Sequence, residues 1–272
     1  MKLELLKMQG AGNDYLFYDA IKNLPPQNPR RLARVLSQRH KGLGADGLVL
    51  MLPSEKADAR MQMFNADGSE GKMCGNAIRC MGKYLFQMFK DTDTLRIETA
   101  ASVKTLYRHK KGDAVLVNMG KATPIVTKNA GVPCFLRLGG LLAYPISVGN
   151  PHLVCFGETE NRGQLLTLAE VGKTLSFFPE GVNVETAKVI AKNQVKVRVF
   201  ERGSGETLSC GTGAVAVAAV GMRLGIFTST TPVSLHFPGG DLVTKIDNSG
   251  DFWLGGETKL VYKGVFDIED CL

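Results

Sequence analysis

Two cysteines stand out by what surrounds them. Cys74 closes the segment FNADGSEGKMC that begins at Phe64, and Cys210 closes FERGSGETLSC that begins at Phe200. The segments lie 136 residues apart, half the length of the 272-residue chain. They align without a gap: Phe64 with Phe200, Glu70 with Glu206, Cys74 with Cys210, Gly75 with Gly211. Each cysteine is followed by glycine and then by a run of helical character, which sets each thiol at a helix N-terminus. Partial positive charge and unpaired N–H groups gather there. The expectation is a thiol pKa lowered toward the thiolate, the form that acts as a base. The same N–H groups suit a carboxylate, and glycine lets a ligand reach the backbone.

One such cysteine is compatible with a nucleophile, a redox sensor or a structural residue. Two of them, related by duplication, suggest thiols aimed at one cleft from opposite sides. Inverting a stereocentre needs a proton taken from one face and another delivered to the other, with thiolate and thiol exchanging roles as the hand of the substrate changes. A carbanion beside a carboxylate is costly, and preorganised dipoles at two helix heads would stabilise it. That chemistry calls for no cofactor and no metal. No CxxC and no Cys/His cluster of zinc-ligand spacing is present, and His152 with Cys155 is an isolated pair.

The elements that must position the thiols follow the same duplication. Alternating runs ARMQMF at 59–64 and VKVRVF at 195–200 precede the two loops. A second echo pairs Gly12-Asn13 with Gly149-Asn150 at an offset of 137. Further strand candidates are 48–52, 94–99, 114–119, 143–148, 153–156, 185–191, 233–237 and 251–256; helices are expected at about 29–39, 75–90, 163–173 and 211–224. The 211–224 helix is apolar nearly all round, as a central helix wrapped by sheet should be, with Gly225 as its C-terminal cap. The fold class is α+β: two pseudo-symmetric domains, each a mixed, barrel-like sheet around a central helix. The expected boundaries are 1–118 plus 261–272 for the half carrying Cys74, and 119–260 for the half carrying Cys210.

Composition is that of an ordinary globular protein, 44% hydrophobic and 22% charged. The longest apolar run, Ala214 to Val220, is far short of a membrane span, and the N-terminus MKLELLKMQG interleaves Lys2, Glu4 and Lys7 with its leucines and so lacks the apolar core expected of a signal peptide. A cytoplasmic protein without membrane partners is expected. The net charge of +7 is dispersed, with no Lys/Arg-rich stretch, which argues against nucleic acid and suits an anionic small molecule. Cys80 is expected to be a helix-face core residue, Cys134, Cys155 and Cys271 packing or surface positions, and the methionines at 61, 63, 73, 81 and 88 core filling. His40, His109 and His236 show no partner pattern. GLGADG at 42–47 satisfies GxGxxG, but it follows a helix-like run and precedes a strand, the reverse of a dinucleotide fold. CGTGAVA at 210–216 is a looser match still.

The stretches KMQGAGND (7–14), FNADGSEGKMCGNAIRC (64–80), GNPH (149–152), ERGSGET (201–207) and SCGTG (209–213) resemble those of the diaminopimelate epimerase family, in order and over almost the whole chain. The resemblance implies interconversion of LL- and meso-2,6-diaminopimelate without pyridoxal phosphate, in lysine and cell-wall synthesis, by a homodimer. It implies Cys74 and Cys210 as the acid/base pair. Gly75, Asn76, Gly211 and Thr212 become the carboxylate cradle; Asn13, Asn65, Asn150, Asn183, Glu201 and Arg202 become substrate contacts, chiefly at the distal end; His152 and Glu201 tune the thiols. Gln9, Gly47, Ala77-Ile78 and GGET at 255–258 depart from the family pattern. Two alternatives stay open: a proline racemase or hydroxyproline epimerase of the same fold, members of which typically carry His where Asn76 stands, and a non-enzymatic amino-acid-binding module.

Overall fold

The computed structural model describes residues 2–109, 114–125, 135–138, 140–157 and 161–269. The chain divides into two compact units, Met1–Val117 with Gly256–Leu272, and Asn118–Gly255. Both are α+β and mostly sheet, with four α-helices among the described residues: α1 (Pro29–Leu36), α2 (Gly75–Met88), α3 (Arg162–Thr174) and α4 (Gly211–Arg223).

In the first unit, strand Lys2–Gly10 turns back antiparallel onto Asn13–Asp19. After α1 the chain enters Gly47–Leu52, parallel to Asn13–Asp19, and returns antiparallel as Ala59–Asn65. The two-residue strand Glu70–Gly71 folds back onto Ala59–Asn65 just before α2. Thr94–Glu98 then lies parallel to Ala59–Asn65 and antiparallel to Val103–Arg108. The strand Thr258–Asp267 closes this unit along Lys2–Gly10.

The second unit repeats the order. Leu141–Ser147 runs antiparallel to Pro151–Phe156, which lies parallel to Asn183–Ala191 after α3. Gln194–Glu201 returns antiparallel, and Gly205–Thr207 folds back onto it before α4. Val233–Phe237 then lies parallel to Gln194–Glu201 and antiparallel to Gly240–Ile246. Register is duplicated too: Leu48 faces Phe64 as Val184 faces Phe200, and Phe64 faces Glu70 as Phe200 faces Glu206. The loop expected before Cys210 therefore contains a strand.

Side-chain alternation accounts for these strands. Val195, Val197 and Val199 are buried while Gln194 and Lys196 face out. Each unit wraps its sheet around one helix. α2 packs on Lys2–Gly10, Asn13–Asp19, Val103–Arg108 and Thr258–Asp267; α4 packs on Leu141–Ser147, Pro151–Phe156, Asn183–Ala191 and Gly240–Ile246. α4 ends as expected at Gly225, whose φ of +72° lets its N–H reach Met222 O while Ile226 N–H reaches Gly221 O. α1 stops at Leu36 rather than 39, because the Leu36 carbonyl is taken by the N–H groups of Leu43 and Gly44. Strands Lys2–Gly10, Asn13–Asp19, Val103–Arg108, Gly240–Ile246 and Thr258–Asp267 were not among the expected ones. No helix among the described residues is long and apolar enough to cross a membrane.

Candidate active site

Both cysteines occupy the same backbone position. Cys74 is the N-cap of α2 with φ −127°, ψ 122°; Cys210 is the N-cap of α4 with φ −135°, ψ 120°. An extended N-cap residue leaves its side chain beside the first-turn N–H groups. The Cys210 sulfur accepts from Gly213 N–H at 3.4 Å, and Thr212 Oγ1 lies 3.4 Å from it.

Each helix head is tied to an asparagine from the matching hairpin of its own unit. Asn76 Nδ2 donates to Asn13 Oδ1, and Asn150 Nδ2 donates to Thr212 Oγ1 at 3.3 Å. Asn13 also donates to Asp46 Oδ2 at 3.3 Å. It follows a tight turn in which Ala11 and Gly12 both have positive φ, and Gly12 N–H donates to Gln9 Oε1 at 3.1 Å. Gln9 therefore holds the turn that presents Asn13. Gly47 faces Asn65 in register, and a Cβ at Gly47 would lie 2.1 Å from Phe64 O. No side chain fits at that position.

Around Cys210 the electrostatics overturn one expectation. Burial pushes the thiol well above its usual pKa; the Glu201 and Glu185 carboxylates add to this, and the Thr212 and Gly213 hydrogen bonds do not reverse it. A helix terminus contributes only about 0.3–1 kcal/mol to a nearby charge at an exposed site. Burial beside two carboxylates acts in the opposite sense and outweighs the helix head, so the expected lowering is not found at Cys210. Glu201 is itself raised, by burial first, although hydrogen bonds with Thr207 and Cys210 oppose it.

His152 is fully buried, with Nδ1 2.7 Å from Glu185 Oε1 and Nε2 3.1 Å from Asn150 Oδ1. Asn183 donates to Pro151 O at 2.9 Å and accepts from Arg202 N–H at 3.0 Å, which clips two strands together. The Arg202 guanidinium reaches Glu180 Oε2 at 3.3 Å. Arg202 also lines a cavity of about 270 Å³ with Lys173, Gly181, Val182 and Phe200, and neither Cys210 nor His152 lines it. Asn65 donates to Ser69 Oγ at 2.9 Å, where its counterpart Glu201 accepts from Thr207 at 2.6 Å.

Two residues were not foreseen. Glu185 is fully buried beside His152. Arg79 is fully buried in α2, donating to Gly75 O at 3.1 Å and Asn76 Oδ1 at 2.9 Å. Their matches 136 residues away are Val49 and Val215, both fully buried. A charge standing where the duplicate has valine was the available signal. Cys80 and Cys155 are core residues as expected, with thiols pushed by burial up to about 12. Cys134 and Cys271 lie outside the described residues. His236, for which the sequence shows no partner pattern, meets Asp241 at 2.8 Å across a hairpin where the two residues are in register.

The duplicated, sheet-wrapped helix is a fold that other solved structures share. The fold is shared with a hydroxyproline epimerase from Agrobacterium vitis with bound trans-4-hydroxy-L-proline (TM-score 0.68, 16% identity, 99% of this chain and 92% of that one). A Bacillus anthracis phenazine biosynthesis protein of the PhzF family shares it as well (TM-score 0.71, 15% identity, 98% and 100%). The diaminopimelate epimerase family profile matches residues 5–125 and 144–261. Relatives named diaminopimelate epimerase include those of Methanococcus maripaludis (38% identical, 98% of this chain, 100% of the relative) and Acetivibrio thermocellus (36%, 98%, 100%). This chain belongs to the diaminopimelate epimerase family.

Proposed function

We propose that the protein interconverts LL- and meso-2,6-diaminopimelate by two-base proton transfer, with Cys74 and Cys210 on opposite faces of the α-carbon. The observation that carries this reading is the duplicated helix head. In each unit an extended N-cap cysteine precedes glycine, and the next residue is hydrogen-bonded to an asparagine of a β-hairpin. Family membership supplies the substrate.

In one direction a thiolate removes the α-proton while the other thiol delivers its own to the opposite face; the reverse direction exchanges the roles. First-turn N–H groups at Gly75, Asn76, Gly211 and Thr212 hold the α-carboxylate and spread the carbanion charge. Asn13, Asn65, Asn150, Asn183, Glu201 and Arg202 bind the rest of the substrate, the guanidinium of Arg202 taking the distal carboxylate. His152 and Glu201 support the Cys210 side. No cofactor or metal enters the scheme. We place the enzyme in the cytoplasm as a homodimer without nucleic-acid or membrane partners. The dimer is supported by Val261 and Val265, 53% and 62% exposed on the strand Thr258–Asp267.

The deciding experiment is α-hydrogen exchange in D₂O. Wild-type protein should wash deuterium into diaminopimelate and leave proline untouched. Cys74→Ala and Cys210→Ala should each lose at least about 10²–10⁴-fold, the scale of acid–base catalysis, while keeping the wild-type circular dichroism spectrum. Near wild-type turnover in either variant would end the two-base assignment; exchange into proline would favour the racemase reading.

A further inference from the structure

Glu185 has a role in none of the chemistry so far. It is fully buried on Asn183–Ala191, with one carboxylate oxygen on His152 and the other, Oε2, without a hydrogen-bond partner among the described residues. Removing a carboxylate from water is costly even beside a hydrogen-bond partner, so a fold does not keep one there without a compensating use. The other unit builds the same strand with Val49 at this position. The architecture therefore does not need the charge.

From Glu185 a continuous line of contacts leads to the thiol. His152 Nδ1 is 2.7 Å from Glu185 Oε1 and its Nε2 is 3.1 Å from Asn150 Oδ1. Asn150 Nδ2 donates to Thr212 Oγ1 at 3.3 Å, and that oxygen is 3.4 Å from Cys210 Sγ. Both ring nitrogens of His152 meet polar partners, the Glu185 carboxylate and the Asn150 amide, which fixes the ring and with it the Asn150 amide. Glu185 also lies against the first turn of α4. A Cβ at Gly213 would be 2.6 Å from Glu185 Oε1 and 3.2 Å from Cys210 Cβ, so this glycine makes room for the carboxylate beside the cysteine.

We propose that Glu185 is a positioning residue for the Cys210 side of the reaction: it locks His152 and, through Asn150 and Thr212, sets the hydrogen-bonded geometry of the Cys210 sulfur. This rests on the two-base reading above. The groups facing the sulfur are Glu201 from Gln194–Glu201, Glu185 from Asn183–Ala191, and Thr212 and Gly213 from α4. His152 bears on Glu201 from Pro151–Phe156. Burial and both carboxylates raise the thiol above its ordinary pKa, while the Thr212 and Gly213 hydrogen bonds act against them.

The test uses the full chain with Glu185→Gln, which keeps shape and removes charge. Glu185→Val, the residue carried by the other unit, is the second variant should the buried glutamine not fold. Iodoacetamide labelling of Cys210, followed by peptide mass spectrometry across pH, should move to lower pH by about one unit in Glu185→Gln, because a like charge has gone. Turnover should fall about tenfold to a hundredfold with KM changed less than about twofold, since Glu185 orients a reacting group and touches no substrate. An unmoved Cys210 labelling profile, or wild-type turnover in a folded variant, would overturn the proposal. Labelling needs no substrate, so its failure strikes this inference alone. Absent α-hydrogen exchange in the wild type strikes the two-base reading alone.

Discussion

The buried charges beside the two thiols have opposite sign. Next to Cys210 stand Glu201 and Glu185; next to Cys74, on its own helix, stands Arg79. Burial lowers the Arg79 pKa to about 10, and the thiols of Cys80 and Cys74 act against that fall, so the guanidinium stays cationic at neutral pH. Its Nε has no hydrogen-bond partner among the described residues. A charge placed there favours anions at the head of α2, either a Cys74 thiolate or a substrate carboxylate. Arg79→Met should therefore lower kcat/KM by about tenfold or more, on the scale of a lost charge-assisted interaction. Thermal stability should stay level or rise, because exchanging a buried ion for a well-packed apolar side chain is often neutral or stabilising. Melting and activity that fell together would reduce Arg79 to a packing residue.

At the scale of elements, the duplication explains the paired glutamates in the two loops. Glu70 meets Arg30 of α1 at 3.0 Å, and Glu206 meets Arg162 of α3 and, at 2.7 Å, Arg198. Each glutamate ties the short strand before a helix-head cysteine to the preceding helix of its unit. Burial alone raises Glu206, but Arg162 and Arg198 outweigh it and leave the carboxyl lowered. A lowered folded-state pKa gives stability that is present above the ordinary glutamate range and lost as pH falls through the folded value. Glu206→Gln should then melt below wild type at pH 7, and the gap should narrow as pH drops below about 4. A gap independent of pH would mean that the ion pairs are not its source. The loop cysteines, the asparagine turns and the alternating strands were legible because their signals are local or recur at one offset. Lys2–Gly10 was not, because Leu5 and Leu6 are both buried and the strand shifts register between Lys7 and Met8, which breaks its alternation. Glu185 was hidden for a different reason. Val184 packs in the core with α3 residues Leu165, Leu168 and Ala169, while Glu185 meets the first turn of α4. Both strand faces are covered, and a polar residue in the pattern no longer means solvent.

On the scale of the whole molecule, the strand Thr258–Asp267 carries exposed apolar side chains. It pairs with Lys2–Gly10 along one edge, and Val261 and Val265 point outward from it on either side of Lys263, which meets Glu4 at 2.7 Å. Leu260 is 51% exposed on the same strand. A strand with exposed β-branched side chains invites a partner unless charge or a second chain blocks it. The single Lys263 between two valines is a weak guard. A stable homodimer needs about 1,200–2,000 Å² of buried surface in total; we propose that this ten-residue strand meets its own copy at the centre of such a patch. Sedimentation of the wild type at about 10 μM should give twice the 29.4 kDa chain mass, the behaviour expected for a micromolar or tighter dimer. Val261→Lys with Val265→Lys should sediment as a single chain, since four like charges would then face each other across a two-fold axis. The sheet on the inner face is untouched, so circular dichroism should not change. A wild type that sediments as a monomer, or a double variant that remains dimeric, would move the interface away from this strand.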